Sequence, residues 1–563
     1  MIDHYDRSDN VFKEKNLNAY ISASITSNWD MEAFTDYKGA TLFYRDVARR
    51  IAKLHILFEE TGLKPGDRIA LCGKNSSNWG TACLAALSYG AVVVPILHEF
   101  KADNIHHIIN HSETKLFFAG DQIWENLNEA SMPDVLGIIT LDNFELVISR
   151  SEKLTEAREH LNELFGRKYP KEFTKSDVKY FEAGFDDMAM INYTSGSTGF
   201  SKGVMLPYRS LISNYMFARR ALYVLTPGDK VISMLPMAHM YGFSFEFFFE
   251  FLIGCHVYFL TRLPSPKIIF QALGEIKPSV IVSVPLVIEK IIKKNILPKL
   301  ETPQMKFLLK VPLLNDQIKK KVCEEMIKGF GGNFYEVILG GAPFNQEVER
   351  FIASIRFPYT VGYGATECGP IIAYDDKNTF AQGSCGKPAP NMEVKILSPD
   401  PEHVPGEIIC RGPNVMLGYY KNEKLTEETI DKDGWMYTGD LGIMDKEGNI
   451  FIKGRSKSMI LGPSGQNIYP EEIEDHLNNM TLVNESVVIS ENDKLVALVY
   501  PDFDEAMKTG MTEEQIAAVM EQNRQELNDI LPAYEKISQI RIYHEEFEKT
   551  PKKSIKRFLY QKE

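Results

Sequence analysis

The stretch Tyr193-Thr194-Ser195-Gly196-Ser197-Thr198-Gly199-Phe200-Ser201-Lys202-Gly203 sets the frame for the whole chain. It follows an apolar run, Met188 to Ile191, with the texture of a buried strand. Glycine tolerates positive φ and close backbone approach, so successive N–H groups can converge on an anion. The hydroxyls of Thr194, Ser195, Ser197 and Thr198 add donors, and Lys202 adds a mobile positive charge. These groups suit a polyphosphate. Their order departs from a Walker loop, which needs Gly before its Lys and Ser or Thr after it. Here Ser201 precedes Lys202, Gly203 follows, and apolar Val204-Met205-Leu206 stands where a Walker helix would begin. A phosphoryl-transferring kinase or NTPase is disfavoured on that ground.

The chain has 563 residues, and single cores stop growing at roughly 250–300, so several cores are expected. A composition 44% hydrophobic and 25% charged excludes wholesale disorder. The net charge of −13 argues against a nucleic-acid partner. The cysteines (72, 83, 255, 323, 368, 385 and 410) form no C-x-x-C pair, which points to a reducing compartment and away from zinc or a disulfide framework. The charged N-terminus, Met1 to Arg7, has no apolar segment behind it, so no signal peptide is expected. The most apolar run, Phe243 to Ile253, carries Glu246 and Glu250 and falls short of the ~20 residues of a membrane span. A soluble cytoplasmic protein is expected. Lysines 290, 293, 294, 299, 306, 310 and 319–321 make the middle locally basic, a solvated face by default, with peripheral contact to an anionic membrane left open.

Along the chain, a helix is expected from Thr41 to a C-cap at Gly62, a strand over Arg68 to Cys72, a helix from Asn78 to Gly90 and a strand over Ala91 to Ile96. That is a βαβ unit, hence a parallel sheet. Asn104 to Ser112 and Ile138 to Thr140 read as the next helix and strand, and His107 and His111 as a solvated helix face before metal ligands. Ser210 reads as the cap of a helix to Leu222, and Lys230 to Leu235 as a strand. Six Phe and one Tyr between Tyr241 and Phe251 make either an aromatic core helix or the wall of an apolar tunnel. Val337 to Gly341 and Val361 to Glu367 both run from a strand into glycines, as strands of one parallel sheet do at a shared crevice. Gly406 to Gly412 and Trp435 to Asp440 belong to a small β-rich unit, and an α+β pattern follows Gly454-Arg455.

In this order and spacing, Tyr193 to Gly203, Gly340-Gly341-Ala342, Tyr363 to Glu367, Tyr437 to Asp440, Gly454 to Lys457 and Gly465 to Pro470 resemble the ANL superfamily of adenylate-forming enzymes. The resemblance covers nearly the whole chain, and Pro236 to Gly242 with the aromatic segment look most like its fatty-acyl-CoA synthetase branch. It implies an α/β fold: a large N-terminal region (1–453) of parallel and mixed sheets with helices and a small β-rich unit, then a small mobile α+β domain (454–563). It implies ATP, Mg²⁺ and coenzyme A, with a fatty acid converted to acyl-adenylate and passed to the coenzyme A thiol. By that resemblance the loop from Thr194 to Lys202, with Gly196 and Gly199, holds the β- and γ-phosphates, and Thr366 also contacts phosphate. Glu367 is the implied Mg²⁺ ligand. Tyr363 beside Gly364 stacks on adenine, while Gly340, Gly341 and Ala342 line the base and the acyl carboxylate. Asp440, aided by Arg455, holds the ribose; Lys457 is the hinge; Gly465 lies near the pantetheine channel and His239 near the acyl carboxylate.

Four departures from the family pattern stand out. Ser201 replaces a usual Pro, Tyr208 a common His and Ser458 a frequent acidic residue, and Ser554 falls in the register of the lysine that bridges carboxylate and α-phosphate. Lys553 is the first substitute for that lysine and Lys556 the second. Three alternatives stay open: another carboxylic acid, a carrier-protein thiol as acceptor, or a nucleotide- or acyl-binding homologue weakened in catalysis.

Overall fold

The computed structural model describes residues 16–194, 201–261, 266–300, 302–308, 311–461, 466–492, 494–549 and 555–561. Arg68–Cys72 lies parallel to Val92–Ile96 on one side and to Thr114–Ala119 on the other. The crossover helix Ser77–Tyr89 begins where the Ser76 side chain accepts from the Trp79 N–H and stops at Gly90, whose φ of 87° only glycine adopts without strain. The helix Tyr44–Thr61 ends the same way at Gly62, after a short strand, Thr41–Phe43, that takes the place of its expected first residues.

This sheet grows to eight strands, in the order Gly418–Tyr419, Lys202–Pro207, Met188–Thr194, Val92–Ile96, Arg68–Cys72, Thr114–Ala119, Gly137–Thr140 and Leu146–Ser149. From Met188–Thr194 to Gly137–Thr140 it is parallel, with antiparallel strands at both edges. Thr114–Ala119 is not announced by the sequence, because no Gly or Pro separates it from the helix Ala102–His111; Glu113 makes the turn at φ 56° instead. Lys202–Pro207 pairs antiparallel with Met188–Thr194 and sets Thr194 opposite Lys202. The glycine-rich stretch therefore joins the strands of a hairpin, in keeping with its departure from the Walker order. Ser195, Gly196, Ser197, Thr198 and Gly199 themselves lie outside the described residues.

A second sheet joins Lys230–Ser233, His256–Phe259, Glu32–Asp36 and Thr41–Phe43. The first of these ends two residues earlier than expected because the Met234 and Leu235 N–H groups are taken by the Glu246 carboxyl. Ser210 is no cap: the helix Tyr208–Ala221 starts directly after Pro207, and the Ser210 Oγ donates to the Asn414 carbonyl at 2.7 Å. The aromatic segment is a helix with a π turn, Ser244–Phe248, and Phe243, Phe247, Phe248, Phe249 and Phe251 are wholly buried core.

A third, parallel sheet holds Ile281–Ser283, Val337–Leu339 and Tyr359–Val361. The β-rich unit is an antiparallel sheet of Glu393–Leu397, Gly406–Arg411, Met436–Met444 and Ile450–Arg455, the last strand running across the division expected at 453/454. Beyond it, Pro470–Leu477 and Glu513–Ile530 cover a sheet of Val483–Glu491, Lys494–Pro501 and Ile537–Ile542, with a separate core that includes Ile473, Leu477, Val488 and Leu527. Among the described residues no helix is long and apolar enough to cross a membrane.

Candidate active site

Leu339 and Val361 are paired neighbours at the carboxyl ends of parallel strands, so Gly340-Gly341 and residues 362–366 emerge side by side. Glycine is needed here. A Cβ on Gly340 would sit 3.1 Å from the Tyr241 ring, and one on Gly364 would lie 2.2 Å from the Pro370 carbonyl oxygen. Gly341 has φ +83°, and Ala342 continues the loop half-buried. Tyr363 is buried, and its hydroxyl donates to Asp440 Oδ2 at 2.7 Å. Burial and the adjacent carboxylate push the Tyr363 phenol well up, so it stays a donor. Asp440 Oδ1 lies 2.7 Å from Arg455 Nε, its partner across the antiparallel ladder. Tyr363, Asp440 and Arg455, distant in sequence, thus form one hydrogen-bonded row.

A second group gathers at Glu367, on the short turn Thr366–Cys368. Tyr419, which pairs with Val204 beside the glycine-rich hairpin, donates its hydroxyl to Glu367 Oε1 at 2.9 Å. The Lys202 ammonium sits 5.4 Å from the Tyr419 ring centre. Burial lowers the Lys202 pKa, and the positive charges of Lys457 and Arg455 lower it further against the pull of Glu367. Lys202, Arg455 and Lys457 thus gather with the carboxylates of Glu367 and Asp440 in one cluster of charged groups. Glu367 supplies one carboxylate there, a donor that would suit an ion such as Mg²⁺, which takes one or two protein carboxylates and completes its shell with phosphate oxygens and water. His107 and His111 stack on each other at 5.5 Å, and His111 Nδ1 pairs with the Tyr193 hydroxyl at 2.7 Å, a packing role under the hairpin.

Beside Tyr363 lies a mostly apolar cavity of about 70 Å³. Tyr363, Gly364, Thr366, His239 and Gly340 line it together with Phe217, Leu222, Phe245 and Tyr374. His239 caps the helix Met240–Phe243, its Nδ1 accepting from the Tyr241 N–H at 3.2 Å. The turn that carries His239 is held by buried polar side chains from far along the chain. Asn75 accepts from Met237 N and donates to Leu235 O, Asn192 donates to Ala238 O, and Glu246 accepts from Met234 N and Leu235 N.

Sequence reading misses Tyr419, Asn75, Asn192 and Glu246 in these roles; a Gly-Tyr-Tyr run and a Glu inside a Phe-rich segment are the only local signals. Lys457 is an exposed turn residue just past Arg455. Lys556 pairs with Glu548 at 3.0 Å within the C-terminal unit. Gly465 and Lys553 lie outside the described residues.

A polar row, a cluster of charged groups and a mostly apolar cavity thus gather at the ends of parallel strands. Residues 22–420 match the model of the AMP-binding enzyme family and residues 457–563 that of the AMP-binding enzyme C-terminal domain, so the chain belongs to the AMP-binding, adenylate-forming enzymes, a family of acid–thiol ligases. It is similar to the peroxisomal long chain acyl-CoA synthetase 6 of Arabidopsis thaliana, 28% identical over 506 residues covering 83% of this chain and 69% of the relative. It is equally similar to a long-chain-fatty-acid–CoA ligase of Escherichia coli O157:H7, 28% identical over 481 residues, 80% of this chain and 79% of that one. In fold it matches a benzoate CoA ligase from Burkholderia xenovorans LB400 with a TM-score of 0.75 at 19% identity, over 98% of this chain and all of the other.

Proposed function

We propose that this enzyme activates an apolar monocarboxylic acid of the fatty-acid type with ATP and transfers the acyl group to coenzyme A. In the first step a carboxylate oxygen attacks the α-phosphorus and pyrophosphate leaves. In the second the coenzyme A sulfur attacks the acyl carbon, the thiol proton is lost, and AMP leaves with the phosphoanhydride electron pair.

One observation carries the reading. The segment from Tyr363 to Thr366 lines the apolar cavity, carries the hydroxyl that bonds Asp440 and leads directly into Glu367. An acid in the cavity and a nucleotide along the row would meet at that segment. Asp440, held by Arg455, would take the ribose hydroxyls. Lys202 and the glycine-rich hairpin would take the phosphates, and His239, which lines the cavity, the acyl carboxylate. Bound Mg²⁺ would neutralise phosphate charge, with Glu367 as its protein ligand.

The C-terminal unit touches the rest through polar contacts, Asn345 to Asp475 at 2.9 Å and Lys293 to the Asn478 carbonyl at 3.1 Å. Such contacts exchange for water at little cost, which supports a swing about Lys457 between the steps. The cysteines, all reduced and buried, support work in a reducing, cytoplasmic compartment. The test is acid-dependent pyrophosphate release, followed by thioester formation with coenzyme A and AMP as co-product. ADP as product, or turnover with a carrier-protein thiol and none with coenzyme A, would refute the assignment.

A further inference from the structure

The acid cavity is small, and part of its wall is a set of braced rings. Phe217 meets Tyr374 edge to face with ring centres 5.6 Å apart, and Phe245 packs on Phe217 at 6.2 Å. Tyr374 is fixed from behind, its hydroxyl donating at 2.7 Å to Glu336, a carboxyl wholly out of solvent. One turn along the same helix face as Phe217, Ala221 lines the cavity beside Leu222. The side wall is equally fixed, because Tyr241 donates to the Ile338 carbonyl at 3.0 Å.

The cavity's 70 Å³ is about half of the ~150 Å³ that an apolar cavity offers to benzene. A long tail does not fit without moving these rings, and a close-packed wall anchored by hydrogen bonds resists that.

We propose that Phe217 and Tyr374, braced by Glu336, are the specificity-determining wall of the acid site, which makes the preferred substrate a compact, short-chain apolar acid. This rests on the acid-activation reading given above and names the substrate class within it. The signature differs from that of a generic hydrophobic site, because a single ring removal should lengthen the accepted tail in whole methylenes. Each methylene newly accommodated is worth about fourfold in kcat/KM.

The test is kcat/KM for pyrophosphate release with straight-chain acids from butyrate to palmitate, measured on the full-length enzyme and on two opposed variants. The wild type should be best with acids near butyrate to hexanoate and fall towards palmitate. Phe217→Ala should move the optimum at least two methylenes longer, raising the octanoate-to-butyrate ratio by about 15-fold or more. Ala221→Leu, which fills the same face and leaves the rings in place, should move it shorter; it keeps the proposal exposed if Phe217→Ala folds poorly. A wild-type optimum at palmitate, or profiles that coincide in all three proteins, would overturn the wall. Failure of every acid to release pyrophosphate in any of the proteins is a different result: it removes the acid-activation reading itself, and the wall with it.

Discussion

Asn192 offers a sharp test of how the acid site is held in place. Its side chain is 3% exposed and its amide donates to the Ala238 carbonyl at 2.9 Å, one residue before His239. It also stands two residues before Thr194, where the glycine-rich hairpin begins. In Asn192→Ala the Ala238 carbonyl is left buried without that donor, a loss of about 1–3 kcal/mol. The other holds on the turn, from Asn75 and Glu246, remain, so the fold should survive with the turn loosened. If the whole cost is expressed as displacement of the turn, the fraction of molecules competent for acid falls about 5- to 150-fold, which bounds the rise in the KM for acid. The assay is pyrophosphate release with the acid varied at saturating ATP, then ATP varied at saturating acid. The acid KM should rise while the ATP KM moves by less than about threefold, since Asp440 and Tyr363 are untouched. Equal rises in both, or a loss of stability with both constants unchanged, would refute a positioning role for Asn192.

Four other outcomes are expected. Tyr363→Phe removes the hydrogen bond to Asp440, and a bond to a charged acceptor is worth about 1.5–3 kcal/mol, so the ATP KM should rise about 10- to 150-fold with little change for acid. Lys556→Ala breaks only a part-exposed pair with Glu548 and should cost less than about threefold in pyrophosphate release, whereas Lys553→Ala should cost about 10²–10³ if it supplies the missing bridge; the reverse ranking would reassign the lysine. Lys457→Pro should spare acid-dependent pyrophosphate exchange and suppress thioester formation, and equal loss of both would count against the hinge. Burial holds His55 down from 6.5 to about 4. Between those values the unfolded chain binds a proton that the folded one refuses, so stability is complete above pH 6.5 and falls by up to about 3 kcal/mol as pH drops through 4; a denaturant midpoint that stays flat over this window would contradict the assignment.

The parts of the fold and site that are legible in the sequence are those that depend on local chemistry. Glycine after Leu339 and Val361, the helix stops at Gly62 and Gly90, and the hydroxyl-rich run ending in Lys202 each announce a backbone requirement within a few residues. The polar groups that hold the site together are silent because their partners are remote. Asn75 binds the Leu235 carbonyl 160 residues away, and Tyr419 reaches Glu367 across 52. Glu246 looks like an interruption in a Phe-rich helix, yet it ends a neighbouring strand by taking two of its backbone N–H groups. Ser210 misleads for a related reason: a serine near a helix start is a good cap only if nothing else claims its hydroxyl, and here the Asn414 carbonyl does.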